Sequence, residues 1–458
     1  MIIEFSVKNF RSIKDEQVLG VWTTRDSELG FSDRLHAVSG SEYSCLPSIG
    51  IYGANAAGKS NLLKGLKALS YMVSSSAQLN DDDEIPCFEP FRLADDKRTT
   101  TTFEVEYAPL GCKSRDVGRY RYTLEFGKKA IKLEKLVALD EEDDESLIFK
   151  RGAKATSSQE VEWGENYVND GMRLDMQFLP QHTLLSSCRK RPNVFAELAD
   201  AIRCLGKQLT FLSADYSVSG LSRREADMSV SIAKVFLPLI DIGVKSASAK
   251  PDELKPETKE AMRLFLKTLH VSSEVMDADF PDHMSYYTTH IREDGKEISF
   301  NLSDESDGTQ KMFAILPAFV LALCTGETVV IDEIERSMHP FMAALIIKLF
   351  NDPEVNACGA QILYTTHDTS LMDQQLLRKD QIWFAEKDKF GASRYFSLND
   401  FDSRQVLPTS PFVEWYVQGR FGGIPMLDYS RIAKAMGGLA TMVRQIPKQT
   451  GRRKNAKA

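Results

Sequence analysis

Little in this sequence points to a secreted or membrane-bound protein. Its seven cysteines are odd in number and include no Cys-x-x-Cys pair, which argues against a disulfide framework and a structural zinc site. No apolar run approaches the roughly 20 residues that a membrane-spanning helix needs. The first residues, MIIEFSVKNFRSI, lack the basic and then apolar layout of a signal peptide. We therefore expect a cytoplasmic protein without a membrane segment.

The chain is equally poor in the features of nucleic-acid binders and fibrous proteins. It carries 57 basic and 65 acidic residues, a net charge of −8, so a general attraction to nucleic acid is not indicated, although a local basic face would still permit binding. No heptad pattern is sustained and no internal repeat occurs, which argues against a long coiled-coil arm. No Ser/His/Asp or Cys/His arrangement suggests a second catalytic site, and His283, His290 and His339 are expected to be structural.

A segment rich in glycine and alanine, IGIYGANAAGKSNLL (Ile49–Leu63), stands between two apolar runs. The apolar patterns on either side predict a buried strand, a loop and an amphipathic helix. Within the segment, Gly53-x4-Gly58-Lys59-Ser60 matches the Walker A pattern in full. In this pattern backbone N–H groups surround phosphate oxygens, the lysine contacts the β- and γ-phosphates, and the serine hydroxyl binds Mg²⁺. The predicted ATP-binding residues of this loop are Gly53, Ala54, Asn55, Ala56, Ala57, Gly58, Lys59, Ser60 and Asn61.

A second motif, TVVIDE, occurs much later in the chain. Its apolar residues predict a buried strand that places Asp332 at its carboxyl end, where α/β sheets bind ligands. We expect Asp332 to hold Mg²⁺ together with Ser60, and Glu333 to act as the base that polarises the attacking water. Such a strand is weak evidence alone, but its combination with a Walker A motif is strong evidence for a nucleotide site.

Two further elements occur in an informative order. SDGTQK (Ser306–Lys311) opens a predicted helix shortly before the strand of Asp332, and His367 follows the strand ILYTT. Taken alone, the first would be a helix cap and the second a structural histidine. Together with the two nucleotide motifs, they resemble the ATP-binding-cassette heads of the SMC, Rad50 and RecF class.

This resemblance implies roles for several residues. Ser306 and Gly308 would form a signature that closes over the γ-phosphate held by a second copy, and His367 would be the switch histidine that contacts this phosphate. Arg11, in the sequence Phe10-Arg11-Ser12, would lie near the nucleotide, and Ser337 would lie in the D-loop. The chain departs from the class in its signature, which reads Ser-Asp-Gly-Thr rather than Ser-Gly-Gly-Gln, and a Q-loop glutamine is not assigned.

The motif sequences are more similar still to a bacterial subgroup. ESDGTQKM, IDEIERSMHP, TTHD and YVQGRFGGIP resemble the AAA-15/AAA-21 ATPases of anti-phage defence operons, such as the ATPase subunits of PARIS and RloA-type systems. The resemblance covers both halves of the core and the carboxyl-terminal end, and covers the segment between about 150 and 280 only loosely. The region after His367 lacks the Glu…Asp-x-Asp arrangement of a Toprim nuclease, which implies that a separate chain does any cutting.

These observations predict an α/β fold of the ATP-binding-cassette head type. It would consist of a mixed-sheet P-loop core with an antiparallel β subdomain, split by a largely helical insertion. Residues 1–150 would form the amino-terminal ATPase lobe with the β subdomain, and residues 151–280 the mainly helical insertion. Residues 281–440 would form the carboxyl-terminal ATPase lobe, with a hairpin that turns at Asp294-Gly295, and residues 441–458 a basic flexible tail.

By resemblance, we expect a protein that binds ATP and Mg²⁺, hydrolyses ATP and self-associates through ATP-sandwich dimers or larger homo-oligomers. It would be the sensor subunit of an abortive-infection system and would restrain a separately encoded nuclease or toxin until a phage protein triggers it. Two alternatives remain. A RecF-like DNA-repair ATPase would show DNA-stimulated hydrolysis with steep salt dependence. A scaffold would bind ATP without turnover.

Overall fold

The structure is a computed structural model of the chain. It describes residues 1–24, 34–38, 41–94, 99–110, 118–213, 223–240, 243–252, 283–336, 338–402, 404, 406–407, 409–424 and 428–445. Ser337 and residues 446–458 lie outside the described residues, and the segment predicted as a helical insertion lies partly outside them. Residues 441–445, predicted as the start of a flexible tail, belong instead to a helix that ends at Gln445.

The strands of the described residues are numbered in chain order. They are β1 (Ile2–Lys8), β2 (Gln17–Gly20), β3 (Trp22–Thr24), β4 (His36–Ala37), β5 (Tyr43–Cys45), β6 (Ser48–Gly53), β7 (Thr101–Tyr107), β8 (Arg119–Phe126), β9 (Ile131–Leu139), β10 (Glu145–Gly152), β11 (Glu162–Trp163), β12 (Leu209–Leu212), β13 (Ser246–Asp252), β14 (His283–Ile291), β15 (Glu297–Asn301), β16 (Thr328–Ile331), β17 (Gln361–Thr365), β18 (Ile382–Lys387) and β19 (Ser393–Ser397).

The α-helices of the same residues are numbered likewise. They are α1 (Lys59–Ser75), α2 (Val168–Arg173), α3 (Leu184–Cys188), α4 (Ala196–Gly206), α5 (Arg223–Phe236), α6 (Asp307–Thr325), α7 (Pro340–Asn351), α8 (Phe412–Val417) and α9 (Tyr429–Gln445).

Seven strands form an antiparallel sheet in the order β11-β10-β9-β8-β7-β1-β2. On β8, Tyr120, Tyr122 and Phe126 are buried, whereas Arg121 and Thr123 between them are partly exposed. Because successive side chains of a strand point to opposite faces, this alternation directs one face of the sheet into the core. The sheet is the antiparallel β subdomain that the sequence predicts.

Six strands form the second sheet, in the order β12-β16-β17-β6-β18-β19. Its first five strands are parallel neighbours and β19 runs antiparallel. The carboxyl ends of β6, β16 and β17 therefore meet at one edge, the position where open α/β sheets bind ligands. Strand β12 lies within the segment predicted as a helical insertion, yet it pairs with β16 and extends the core sheet.

Helix α1 lies between the two sheets. Its apolar stripe, including Leu62, Leu66 and Leu69, is buried in one cluster with Phe5 and Val7 of β1. This stripe repeats at three- and four-residue intervals, so one face of α1 is committed to the core. The start of α1 is consequently held in place at the edge where the parallel strands end.

Helices α6 and α7 belong to the core cluster on the other side of the second sheet, where Phe313 and Ile346 pack with Val329 and Ile362. By length and composition alone α6 could cross a membrane, with a mean hydropathy of 1.4 and 61% of the tested window buried. This helix is weak evidence for a membrane segment, because it is largely buried in the core. Among the described residues it is the one helix of this kind, and buried core helices pass the same test.

A buried ion pair of the β subdomain also binds the start of α3. Arg151 Nη1 lies 3.5 Å from Glu134 Oε2, and the two side chains are 1% and 0% exposed. The same carboxylate accepts hydrogen bonds from the backbone N–H groups of Leu184 (2.7 Å) and Leu185 (3.4 Å) and from the hydroxyl of Tyr122 (3.0 Å). Burial raises the pKa of Glu134, and these donors compensate for the buried charge.

A small sheet, β13-β14-β15, precedes the predicted signature. β14 and β15 form the predicted antiparallel hairpin, and Gly295 in its turn has a φ of 79°. The predicted α/β fold, a mixed-sheet P-loop core with an antiparallel β subdomain, is confirmed.

Candidate functional site

The Walker A segment is a tight loop between β6 and α1. Every residue of β6 is buried, and α1 begins at Lys59 immediately after Gly58. Gly58 has a φ of 104°, and a Cβ at this position would lie 2.8 Å from Ser12 Oγ and closer still to Ser393 Oγ. A glycine is therefore required there by both the backbone conformation and the close approach of its neighbours.

Two side chains of β19 hold the loop from behind. Ser393 Oγ donates a 2.7 Å hydrogen bond to the carbonyl of Ala57, and the Tyr395 hydroxyl donates a 2.6 Å hydrogen bond to the carbonyl of Gly58. With its carbonyls bound on this side, the loop is held in a defined conformation. The sequence did not identify these residues, because alternating Ser and Tyr in a strand carry no signal of what they contact.

Lys59 lies inside the loop and is 6% exposed. Its Nζ donates to the carbonyls of Gly53 (2.9 Å) and Ala54 (3.3 Å) and lies 3.0 Å from Nε2 of His367. Burial lowers the pKa of Lys59, and the nearby carboxylate of Glu335 opposes this shift. The structure thus brings the predicted phosphate-binding lysine and the predicted switch histidine into direct contact.

Ser60 and Asp332 also converge. Ser60 Oγ donates a 2.6 Å hydrogen bond to Asp332 Oδ1, and Thr365 Oγ1 donates a second one of 2.6 Å to the same oxygen. A hydroxyl and a carboxylate are hard oxygen ligands of the kind that Mg²⁺ prefers, and Mg²⁺ sites commonly use only one or two protein carboxylates beside phosphate oxygens. In the described part of the chain no group of three or more His, Cys, Asp or Glu side chains could hold a metal by itself. The pair therefore fits Mg²⁺ bound together with a phosphate.

Glu333 directly follows Asp332 in a constrained turn. Its φ is 54°, a conformation that costs a residue with a side chain on the order of 1–3 kcal/mol. Its N–H donates a 2.8 Å hydrogen bond to Thr365 Oγ1, which holds the turn. Its carboxylate lies 3.6 Å from Arg336 Nη1 and is partly exposed, so it can be reached by water.

His367 leaves the end of β17 with its backbone bound. Its N–H donates a 2.8 Å hydrogen bond to Glu335 Oε1. Burial, and secondly the charge of Lys59, lower the pKa of the imidazole, so the ring is neutral at neutral pH. A neutral imidazole can donate one N–H to a phosphate oxygen while its other nitrogen accepts.

The predicted signature residues lie apart from this cluster. Ser306 is exposed and caps α6, accepting a hydrogen bond from Thr309 N–H (3.2 Å), and Gly308 lies in the first turn of that helix. Within the described residues, no hydrogen bond joins Ser306 or Gly308 to the Walker A loop of the same chain. The exposed amino end of α6 is therefore open to contact from another molecule.

Arg11 and Asn61 face neighbours other than the loop interior. Arg11 Nη2 donates to Glu89 Oε1 at 3.1 Å, and Asn61 Nδ2 donates to Ser12 Oγ at 2.7 Å. Ser12, whose hydroxyl also lies 2.7 Å from Ser393 Oγ, is the residue of the amino-terminal motif that reaches the Walker A region.

Three solved structures match most of the chain at low identity. The SMC head bound to the C-winged helix domain of ScpA has 10% identity and a TM-score of 0.42, with 88% of this chain and 99% of that chain covered. The SMC head domain from Thermotoga maritima has 12% identity and a TM-score of 0.36, with 86% and 98% covered. The recombination mediator protein RecF with ATPrS has 14% identity and a TM-score of 0.35, with 86% and 98% covered. With TM-scores this low, the likeness carries no conclusion about function.

No curated protein matches the chain. A family model does match, over residues 48–168 and 221–373, and its description is "AAA domain, putative AbiEii toxin, Type IV TA system". The first matched range contains the Walker A loop, and the second contains Ser306, Asp332, Glu333 and His367. Together the two ranges make up more than half of the 458 residues. The chain therefore belongs to this AAA_21 family of ATPases.

Proposed function

We propose that the chain binds Mg–ATP and hydrolyses it. The observation that carries this proposal is the meeting of Ser60 Oγ and Asp332 Oδ1 at 2.6 Å, beside Lys59 and His367, at the edge where three parallel strands end. An ammonium group, a Mg²⁺-type ligand pair and an exposed carboxylate are the groups that phosphoryl transfer to water requires.

Each residue then has a role that its contacts support. Lys59 exchanges the carbonyls of Gly53 and Ala54 for phosphate oxygens. Ser60 and Asp332 hold Mg²⁺, which on binding neutralises phosphate charge. Glu333 is the base, and it must leave Arg336 before it accepts the proton of the attacking water.

Two copies complete the site in this proposal. Ser306 and Gly308 lie at the exposed amino end of α6, a 19-residue helix, away from the Walker A loop of their own chain. A helix amino end stabilises a nearby anion through its free N–H groups and its dipole. A second chain would present this end to the γ-phosphate, so ATP binding would produce a homodimer or a larger homo-oligomer.

The biological role that we infer is regulation in a bacterial anti-phage system. The family description names a putative AbiEii toxin and a type IV toxin–antitoxin system. The catalytic motifs identified in this chain all belong to a single ATPase site. We infer a cytoplasmic sensor subunit that holds a separately encoded nuclease or toxin and releases it when a phage protein is sensed. ATP would favour the closed assembly over the open one, because it contacts two chains in the closed form and only one in the open form.

Phosphate release by the purified chain with Mg–ATP tests the enzymatic part. Lys59→Ala should abolish nucleotide binding, whereas Glu333→Gln should keep binding and slow hydrolysis by about 10²–10⁴-fold. Glu354→Gln, at an exposed carboxylate after α7, is the matched control and should behave as wild type. Nucleotide binding with no turnover by the wild type would identify a scaffold instead.

Two further measurements test the biological part. Addition of duplex DNA should leave the rate unchanged, because strong stimulation with a steep salt dependence would favour the RecF-like alternative. Co-expression with the product of the adjacent gene should yield a complex on purification. When the same cells are challenged with phage, the number of plaques should fall, and this fall should require Lys59. Normal plaque numbers and no complex would contradict the regulatory role.

A further inference from the structure

Two buried carboxylate oxygens without a hydrogen-bond donor lie beside the loop that follows β17 and carries His367, which we call the switch loop. Among the described residues they are Oε2 of Glu335 and Oδ2 of Asp368. A buried polar group left unpaired costs about 1–3 kcal/mol, so the great majority of such groups in proteins are paired. These two oxygens can therefore each accept a hydrogen bond.

Tyr52 and Tyr364 come from neighbouring strands. Tyr364 of β17 is paired with Gly50 of β6, and its ring crosses that glycine, because a Cβ at Gly50 would lie 2.6 Å from the Tyr364 hydroxyl. Tyr52 follows two residues later on the same face of β6. The two hydroxyls lie against each other, and burial raises the pKa of both. Both hydroxyls therefore remain protonated, and when one donates to the other, the second still has an O–H to donate.

The two carboxylates come from the loops above them. Glu335 lies two residues after Glu333, and its Oε1 accepts the backbone N–H of His367 at 2.8 Å. Asp368 follows His367, and its Oδ1 accepts the backbone N–H of Ser370 at 2.9 Å. Each carboxylate thus has one oxygen bound by the backbone and one buried oxygen with no donor.

The charges of Glu335 and Asp368 both act on the Tyr52 hydroxyl, and that of Glu335 acts on Tyr364, so the carboxylates lie close to the tyrosine pair. The switch loop holds the imidazole of His367 3.0 Å from Lys59 Nζ. Lys59 would have to leave the imidazole in order to bind a phosphate, so a residue that holds the switch loop influences this exchange.

We propose that Glu335, supported by the Tyr52–Tyr364 pair, is a positioning residue that sets His367 against Lys59 or away from it. The assembly links the loop after Asp332, the switch loop and the two central strands. It transmits the presence of a γ-phosphate to the buried core, and through Glu335 to the turn that carries Glu333. The inference rests on the proposed ATPase function for its role in turnover, whereas the contact between Glu335 and His367 is tested without turnover.

The first test is made without nucleotide. The imidazole pKa of His367 is measured by NMR of histidine-labelled protein, with the resonance assigned from a His367→Asn variant. Glu335→Gln keeps an acceptor for the His367 N–H but removes the negative charge, so the pKa of His367 should fall. An unchanged titration of His367 in Glu335→Gln would overturn the proposal, and Glu354→Gln should leave it unchanged.

The second test separates positioning from binding. Glu335→Ala and Tyr364→Phe should lower kcat by about tenfold, the order expected for a lost buried hydrogen bond, and leave KM for ATP nearly unchanged. Glu335→Gln should retain most of kcat, because its amide oxygen still accepts the N–H of His367. If both variants with a deleted contact turned over ATP at the wild-type rate, the positioning role would be contradicted.

The two tests keep this inference distinct from the proposed function. If the wild type failed to hydrolyse ATP, the proposed function would fail, but the titration of His367 would still decide whether Glu335 positions it. Circular dichroism monitors the fold of each variant. Tyr364→Phe retains the ring that packs across Gly50 and therefore carries the kinetic test if Glu335→Ala is misfolded.

Discussion

The Ser60 hydroxyl donates its 2.6 Å hydrogen bond to a carboxylate 272 positions further along the chain, that of Asp332. The two residues follow different strands, β6 and β16, which are separated in the sheet by β17 alone. Thr365, from the end of β17, donates to the same oxygen. The carboxyl ends of three strands thus meet at one carboxylate, which is the centre of the proposed Mg²⁺ site.

Replacement of Asp332 by asparagine should keep the shape of this centre and remove its charge. We expect nucleotide binding to lose its dependence on Mg²⁺ and hydrolysis to fall by at least about a hundredfold, because a neutral amide is a poor ligand for a hard cation. Fluorescent-nucleotide titration with and without Mg²⁺ measures the effect. Glu141→Asn, in the exposed acidic loop after β9, should have no effect, and an Asp332→Asn variant that still responds to Mg²⁺ would show that the metal is held elsewhere.

Removal of the Tyr395 hydroxyl should loosen the Walker A loop without unfolding the chain. Tyr395→Phe deletes the donor to the carbonyl of Gly58, a hydrogen bond with a net contribution of about 1 kcal/mol. The dissociation constant for ATP should rise by a few-fold, as measured by calorimetric titration. Tyr429→Phe is the control, since that side chain is 81% exposed. Equal affinities in the two variants would mean that the loop needs no support from β19.

Loss of the buried pair of Glu134 and Arg151 should cost more stability than loss of an exposed ion pair. Glu134→Ala leaves the buried Arg151 without its charged partner and two backbone N–H groups without their acceptor, and such a loss costs about 3–5 kcal/mol. Glu145→Ala removes an acidic partner of Arg121 and Lys135 that is 37% exposed, and exposed pairs contribute about 0–1 kcal/mol. Urea unfolding of both variants measures the difference. Similar midpoints would contradict the importance of burial.

The contact between Lys59 and His367 should make stability depend on pH. The charged groups facing the imidazole are Lys59, Glu335, Glu333 and Asp332, and the pKa of His367 is lowered by burial first and by Lys59 second. Since the folded pKa lies below the unfolded value of about 6.5, the unfolded chain binds the proton first as pH falls, and stability is lost below that pH. The melting temperature of the wild type should therefore fall more steeply between about pH 7.5 and pH 5.5 than that of His367→Asn. Parallel curves would show that the imidazole is not held neutral.

Local sequence patterns were sufficient for the parts of the fold that depend on neighbours in the chain. The Walker A strand, loop and helix follow from apolar periodicity interrupted by glycines, and the hairpin at Gly295 follows from its turn residues. The convergence of Ser60 with Asp332 followed from a rule of parallel sheets, namely that carboxyl ends share an edge. These predictions needed no knowledge of side-chain contacts.

The contacts that could not be predicted from the sequence join residues that are far apart in the chain. Ser393 is 336 residues from the carbonyl that it binds, and neither its type nor its spacing marks it as part of the loop. Strand β12 has four residues, too few to distinguish a core strand from one turn of helix. Glu335 carried no motif signal, because its partner is the backbone N–H of a residue from another loop.

The most direct test of the account is a mixing experiment with two inactive variants. Lys59→Ala lacks the phosphate-binding lysine, and Ser306→Arg blocks the signature; each alone should be inactive, although each is folded. In an equal mixture, half of the dimers would contain one of each, and each of these would have one intact composite site, so about a quarter of the wild-type rate should return. A mixture that stays as inactive as its components would contradict the claim that each chain completes the nucleotide site of the other.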